Sequence, residues 1–252
     1  MKLLQSIAGA AAILAVLCGP ARAAPEGEVT VFAAASTSLA LAEIAEAWKA
    51  AGHGHLRAVF ASSGVLARQI DNGAPADLYL SANESWMRWL AERGALDGEP
   101  VTLFGNRLVL VQPADAPVLV LDDTLPAALA GQRLAIGDPD HVPAGIYARQ
   151  ALESLGLWQA LSPLTVRMKD VRAALLLVQR GEVAAGIVYE SDARDDARVR
   201  IAARFPDDSH APIGFAAAVL ADGNRESARR LLDFLRGPEA GEVFRRHGFR
   251  LE

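Results

Sequence analysis

The sequence predicts an α/β fold of two lobes built on mainly parallel sheets, and three stretches carry that expectation. The first, Val29-Thr-Val-Phe-Ala-Ala-Ala-Ser-Thr-Ser38, runs from strand-forming residues through small side chains into hydroxyls. Leu39, Leu41, Ile44, Ala45 and Trp48 follow at helical spacing, so a strand turns directly into a helix. The second, Ala58-Val-Phe-Ala-Ser-Ser-Gly-Val-Leu-Ala-Arg-Gln-Ile70, repeats the arrangement with Ser62, Ser63 and Gly64 at the turn. The third, Arg133-Leu-Ala-Ile-Gly137 followed by Asp138-Pro-Asp-His-Val-Pro-Ala-Gly-Ile-Tyr147, opens another strand-to-helix unit. Strands that alternate with helices lie parallel, and their helix starts line the carboxyl edge of the sheet, where open α/β sheets bind ligands.

Each start suits an anion. The first N–H groups of a helix have no partner within it, and the aligned peptide dipoles leave partial positive charge there. Ser36, Thr37 and Ser38 stand at the first start, where ordinary N-capping is the plain alternative. Pro143 suits a first helical position, and Ala144 and Gly145 behind it leave amides unshielded, although Pro and Gly also make ordinary turns. A fourth start follows Val166-Arg-Met-Lys-Asp170, with Asp170 as N-cap, the Val171 N–H among the free donors and Gly181 as terminator. The Asp170 carboxylate would repel a bound anion unless it turned toward its own helix amides. Ala184-Ala-Gly-Ile-Val-Tyr189 is then a buried strand with a phenol at its carboxyl end; a rim or core tyrosine is the alternative.

The remaining chain fills in the two lobes. Gly73-Ala-Pro-Ala-Asp77 is a turn before a short strand, and the helix expected from Glu84 to Glu92 carries Trp86, Met87, Trp89 and Leu90 as a core stripe. The strand Arg107-Leu-Val-Leu-Val-Gln-Pro113 reads as the last of the first set of units, with the turn chemistry of a crossing between lobes in residues 113–126. Phe215-Ala-Ala-Ala-Val-Leu220 reads as a strand returning to the first lobe, before helices at Glu226–Leu235 and after Gly237-Pro238. The expected division is a signal peptide at 1–23, a first lobe at 24–107, a second at 108–210 and a return to the first at 211–252. Hinges are expected near Gly105–Leu110 and His210–Phe215.

Met1 to Ala23 has Lys2, an apolar run through Leu17 and the small-x-small ending Ala21-Arg-Ala23, the pattern of a secretory signal. Its apolar run is too short, and too broken by Gln5, Ser6 and Gly9, for a membrane anchor. Cys18 lacks the preceding small residue of a lipoprotein signal, and as the only cysteine of 252 residues it leaves the mature chain none for a disulfide. Loss of Lys2 and Arg22 takes 25 basic residues to 23 against 30 acidic ones, a formal net charge of −7. That balance argues against nucleic acid, which wants a basic face, and requires any anion pocket to work by local dipoles.

Read together, Val31-Phe-Ala-Ala-Ala-Ser36, Phe60-Ala-Ser-Ser63, Gly73-Ala-Pro-Ala-Asp77, Gly137 to Tyr147, Asp170-Val-Arg172 and Gly186-Ile-Val-Tyr189 resemble the periplasmic molybdate-binding proteins of ABC importers. The ending Gly237-Pro-Glu-Ala240 through Gly248-Phe249 is similar to theirs too. The resemblance implies a two-lobed periplasmic-binding-protein fold of type II, with molybdate or tungstate in the cleft and no cofactor. It implies a membrane permease with its cytoplasmic ATPase as partners of a periplasmic monomer. Carried over by motif, the ligand contacts fall on Ser36 and Ser63 from the first lobe and on Ala144, Val171 and Tyr189 from the second. Gly64, where many relatives have a hydroxyl, and Glu190, where a small residue is common, depart from the pattern.

Other readings fit the residues less well. A secreted serine hydrolase could use Ser36 or Ser63 with His141 or His210, but there is no Gly-x-Ser-x-Gly elbow. His53-Gly-His55 on a loop past a helix, and Asp207-Asp-Ser-His210, are poor metal clusters. Receptors for sulfate, phosphate, ferric iron or organic anions share the architecture. Iron sites need tyrosine pairs or carboxylates where this chain has three tyrosines, and organic acids call for an Arg clamp, for which Arg172 is the nearest candidate.

Overall fold

The computed structural model describes residues 27–129 and 131–251, so the expected signal at Met1–Ala23, with Cys18, lies outside them. The first run of elements is β1 (Glu28–Ala34), a 3-10 turn (Ala35–Thr37), α1 (Ser38–Ala50), β2 (His55–Ala61), α2 (Ser63–Asp71), β3 (Leu78–Ser81), α3 (Glu84–Ala91) and β4 (Val101–Gly105). The second is β5 (Leu108–Pro113), α4 (Leu125–Ala128), β6 (Leu134–Gly137), α5 (Pro143–Ser154), α6 (Trp158–Leu161), β7 (Thr165–Met168), α7 (Val171–Gln179), β8 (Ala185–Tyr189), α8 (Glu190–Ala193) and β9 (Val199–Arg204). The chain ends in β10 (Gly214–Val219), α9 (Arg225–Arg236) and α10 (Pro238–Arg246).

These strands form two five-stranded sheets of matching order, β2-β1-β3-β10-β4 and β7-β6-β8-β5-β9. In each, one antiparallel strand, β10 or β5, sits among four that run the other way. The fold is thus the expected α/β one, with two lobes that exchange strands through residues 106–107 and 205–213.

The strand at residues 107–113 does not close the first set of units: β5 pairs with β8 and β9 in the second sheet, so the crossing precedes it. Residues 113–126 are not the crossing but a loop folded back on β5. Gln112, fully buried, holds that loop, donating to the carbonyls of Ala116 (3.1 Å) and Pro117 (2.7 Å) and accepting from Leu119 N (2.8 Å). Proline chemistry marks a turn without saying which sheet the strand before it joins.

The sheets are covered on both faces, as parallel sheets require. Along β1, Val29, Val31 and Ala33 join Leu41, Ile44 and Trp48 in one core, while Phe32 faces the other way into a smaller cluster with Leu66, Tyr79, Met87 and Leu90. The α3 stripe is therefore half core: Met87 and Leu90 are buried, and Trp86 and Trp89 are half-buried. No helix among the described residues is long and apolar enough to cross a membrane.

Asp77 ties the first lobe to its returning segment. Its buried carboxylate accepts from Thr30 N and from Asn224 N, both at 2.6 Å, and so joins β1 to the cap of α9. Asp77→Ala orphans both donors and should lower stability by about 2–4 kcal/mol. Urea unfolding should show a reduced midpoint at unchanged slope, with Asp77→Asn intermediate.

Candidate anion site

Two classes of hydroxyl appear at the helix starts, some spent on the backbone and others free. At α2, Ser62 is the N-cap and accepts from Val65 N, while Ser63 behind it is the first helical residue. Ser63 is pinned by two neighbours: its carbonyl accepts from Tyr79 OH (2.8 Å), and its Oγ accepts from Ala82 N (3.0 Å), which leaves the hydroxyl proton to be donated elsewhere. At α1 the plain capping alternative does not hold. Thr37, the N-cap residue, makes no side-chain cap bond and donates instead to Ala34 O (2.8 Å), and Ser36 Oγ is buried with no partner.

In the second lobe, α5 begins at Pro143 and packs tightly on β6. A Cβ on Gly145 would lie 2.0 Å from Gly137 O, so Gly145 serves that close approach rather than exposing an amide to the cleft. At α7, Asp170 Oδ1 accepts from Ala173 N (2.8 Å), so the carboxylate is turned to its own helix, the orientation the site needed. Arg172 Nη1 lies 3.4 Å from Asp192 Oδ1. Neither Arg172 nor any other cationic side chain is among the residues that line the cleft.

These starts converge on one small cavity between the carboxyl edges of the two sheets. Its wall brings together all five sequence-predicted residues, Ser36, Ser63, Ala144, Val171 and Tyr189, with Ala34, Ala35, Ser62, Ala82, Val142, Pro143 and Asp170. The amides of Ser63, Ala144 and Val171 fall in first helical turns, where no carbonyl of the helix can accept them. Tyr189, at the end of β8, is 1% exposed, and its hydroxyl has no partner. Burial, then the nearby Tyr147 and Asp192, push that phenol well above its ordinary range, so it remains a donor at any physiological pH.

Sequence reasoning missed Ala82 and Val142, although Ala82 follows the third strand of the first sheet and its position at a strand end was a signal. It also missed the bonds across the cleft. Asn83 Nδ2 donates to Tyr147 OH (3.0 Å), and Trp86 Nε1 donates to His141 O (3.1 Å). Gly64 makes room for the second: a Cβ there would lie 2.5 Å from His141 O and 2.6 Å from the Trp86 ring. Glu190 turns to Arg204, which donates to it at 2.6 Å.

The alternative clusters do not assemble. Ser36 Oγ has no histidine beside it, and Ser63 Oγ meets a backbone amide, so neither serine has a general base. His53 stacks on Trp48 with ring centroids 4.2 Å apart. Among the described residues, no group of three His, Cys, Asp or Glu side chains could hold a metal ion.

Residues 29–250 match the family model of the bacterial extracellular solute-binding proteins. The chain is 45% identical, over 100% of its length and 99% of the relative's, to the molybdate-binding protein ModA of Escherichia coli K12. It is 40% identical to the Haemophilus influenzae ModA, over 90% of this chain and 91% of that one. Its fold is similar to that of the periplasmic molybdate-binding protein of Azotobacter vinelandii, with a TM-score of 0.79 at 25% identity, over 89% of this chain and 99% of that one. By the match of nearly all its described length, and by relatives aligned end to end, this chain belongs to the bacterial extracellular solute-binding proteins.

Proposed function

We propose that the chain is a periplasmic receptor that binds molybdate, and tungstate with it, and delivers the ion to an ABC importer. The observation that carries this reading is the pair of buried, unpartnered hydroxyls, Ser36 and Tyr189, facing one cavity with the starts of α2, α5 and α7. The relatives named molybdate-binding proteins support the choice of ion.

The chemistry of the wall fits a tetrahedral dianion that carries no proton near neutral pH. Ser36, Ser63 and Tyr189 offer O–H donors, while the serines, Ala144 and Val171 offer amides. The one carboxylate in the wall, Asp170, is occupied by its own helix. Each hydrogen bond to a charged group contributes about 1.5–3 kcal/mol, so a handful offsets the costs of desolvation and closure. Selection against sulfate comes from size, since donors spaced for the larger ion leave a smaller one with stretched bonds.

Because donors come from both lobes, the ion favours the closed arrangement, and the permease with its cytoplasmic ATPase recognises the closed face of a monomeric receptor. The two crossings at 106–107 and 205–213 act as the hinge. The N-terminal 23 residues direct export and are removed.

Calorimetric titration of the mature chain with molybdate, tungstate, sulfate and phosphate tests the reading; failure to retain molybdate or tungstate would overturn it. Ser36→Ala, Ser63→Ala and Tyr189→Phe should each weaken molybdate binding roughly 10- to 100-fold, the loss of one charge-assisted bond. The unfolding midpoints of Ser36→Ala and Tyr189→Phe without ligand should stay close to wild type, whereas Ser63→Ala also orphans the buried Ala82 N and should lower its midpoint. Small-angle scattering should show compaction when saturating molybdate is added, with a parallel change in the fluorescence of Trp86, which bridges the cleft.

A further inference from the structure

Asp192 is a buried charge that neither the fold nor the ligand cavity uses directly. It lies on α8, three residues past Tyr189, and its side chain has no exposed surface. One oxygen lies 3.4 Å from Arg172 Nη1, and Oδ2 has no partner. Burying a carboxylate with one oxygen unsatisfied is costly, and an apolar residue would fill the space at less expense. Arg172, its counterion, follows Val171 directly, so it stands one residue from the helix start that lines the cavity. The charged groups that act on Asp192 are Arg172 of α7 and Asp170, the residue that caps that helix. Burial pushes its carboxyl up to about 6 despite the guanidinium, so it is ionised in mildly alkaline solution.

We propose that Asp192 restrains the affinity of the anion site for dianions by engaging the Arg172 guanidinium and cancelling its charge beside the start of α7. The proposal rests on the oxyanion-receptor reading of that site. Hydrogen bonds from hydroxyls and amides are short and directional, so they discriminate by ion size. A free guanidinium attracts every dianion through a field that falls slowly with distance and ignores size. Holding Arg172 in a neutral pair removes that size-blind attraction and leaves binding to the directional donors.

The test titrates wild type, Asp192→Asn, Arg172→Gln and the double variant with molybdate and sulfate at pH 8, in low and high salt. Asp192→Asn should bind both ions more tightly, by roughly fivefold or more, with sulfate gaining about as much as molybdate and the gain shrinking in high salt. Arg172→Gln leaves the carboxylate uncompensated and should weaken both ions, and the double variant should return near wild type. Loss of a merely structural contact would weaken binding in Asp192→Asn, so the sign of the change is diagnostic. Unchanged or weaker binding in that variant overturns the proposal while wild-type molybdate binding leaves the receptor reading intact. Should Asp192→Asn fail to fold, Arg172→Gln decides, and unchanged or tighter binding there overturns the proposal. A wild-type chain that retains no oxyanion fails the receptor reading itself.

Discussion

Helix starts from two separate sheets point their unpaired amides at one small volume. Each start carries partial positive charge, and bringing several together without a counter-charge is unfavourable. The buried Ser36 and Tyr189 hydroxyls add donors that the protein itself leaves unsatisfied. An arrangement of this kind is stable only with an anion in it, or with the lobes apart and water at the donors. The order of the strands, the lengths of the turns and the bonds across the cleft all serve that convergence.

The same constraint explains the treatment of charge around the cavity. Asp170 would repel an anion if its oxygens faced the cleft, but as N-cap it spends them on its own helix, so one residue starts α7 without closing the site. Glu190, next to Tyr189, is likewise bound to Arg204. The cavity wall thus offers neutral donors inside a protein of net negative charge, so attraction of an anion to it would rest on local dipoles rather than on the long-range field of the chain.

Much of this was legible because strand-to-helix turns are local. Hydroxyls after Val31-Phe-Ala and after Val59-Phe-Ala, Pro143 before Ala144, and Asp170 before Val171 each announce a helix start within a few residues, and all five residues carried over by motif line one cavity. What stayed hidden depends on distant partners. The sheet to which β5 belongs is decided by pairing with Tyr189 and with Arg204 on other strands. The reason for Gly145 lies in the carbonyl of Gly137, and the reason for Gly64 lies in a carbonyl of the opposite lobe. Whether Ser36 caps a helix or stands free could not be read from its position, because both readings place a serine at the same point in the chain.

The position of β10 also governs how the molecule can be assembled. It lies between β3 and β4 in the first sheet, so that sheet lacks an interior strand until residues 214–219 are available. The strands of the second sheet are contiguous in the chain, from β5 to β9. Its contacts close shorter loops, and short loops cost less entropy to close. The second lobe can therefore nucleate alone, while the first waits for the carboxyl-terminal segment to insert and join its edge strand to the rest.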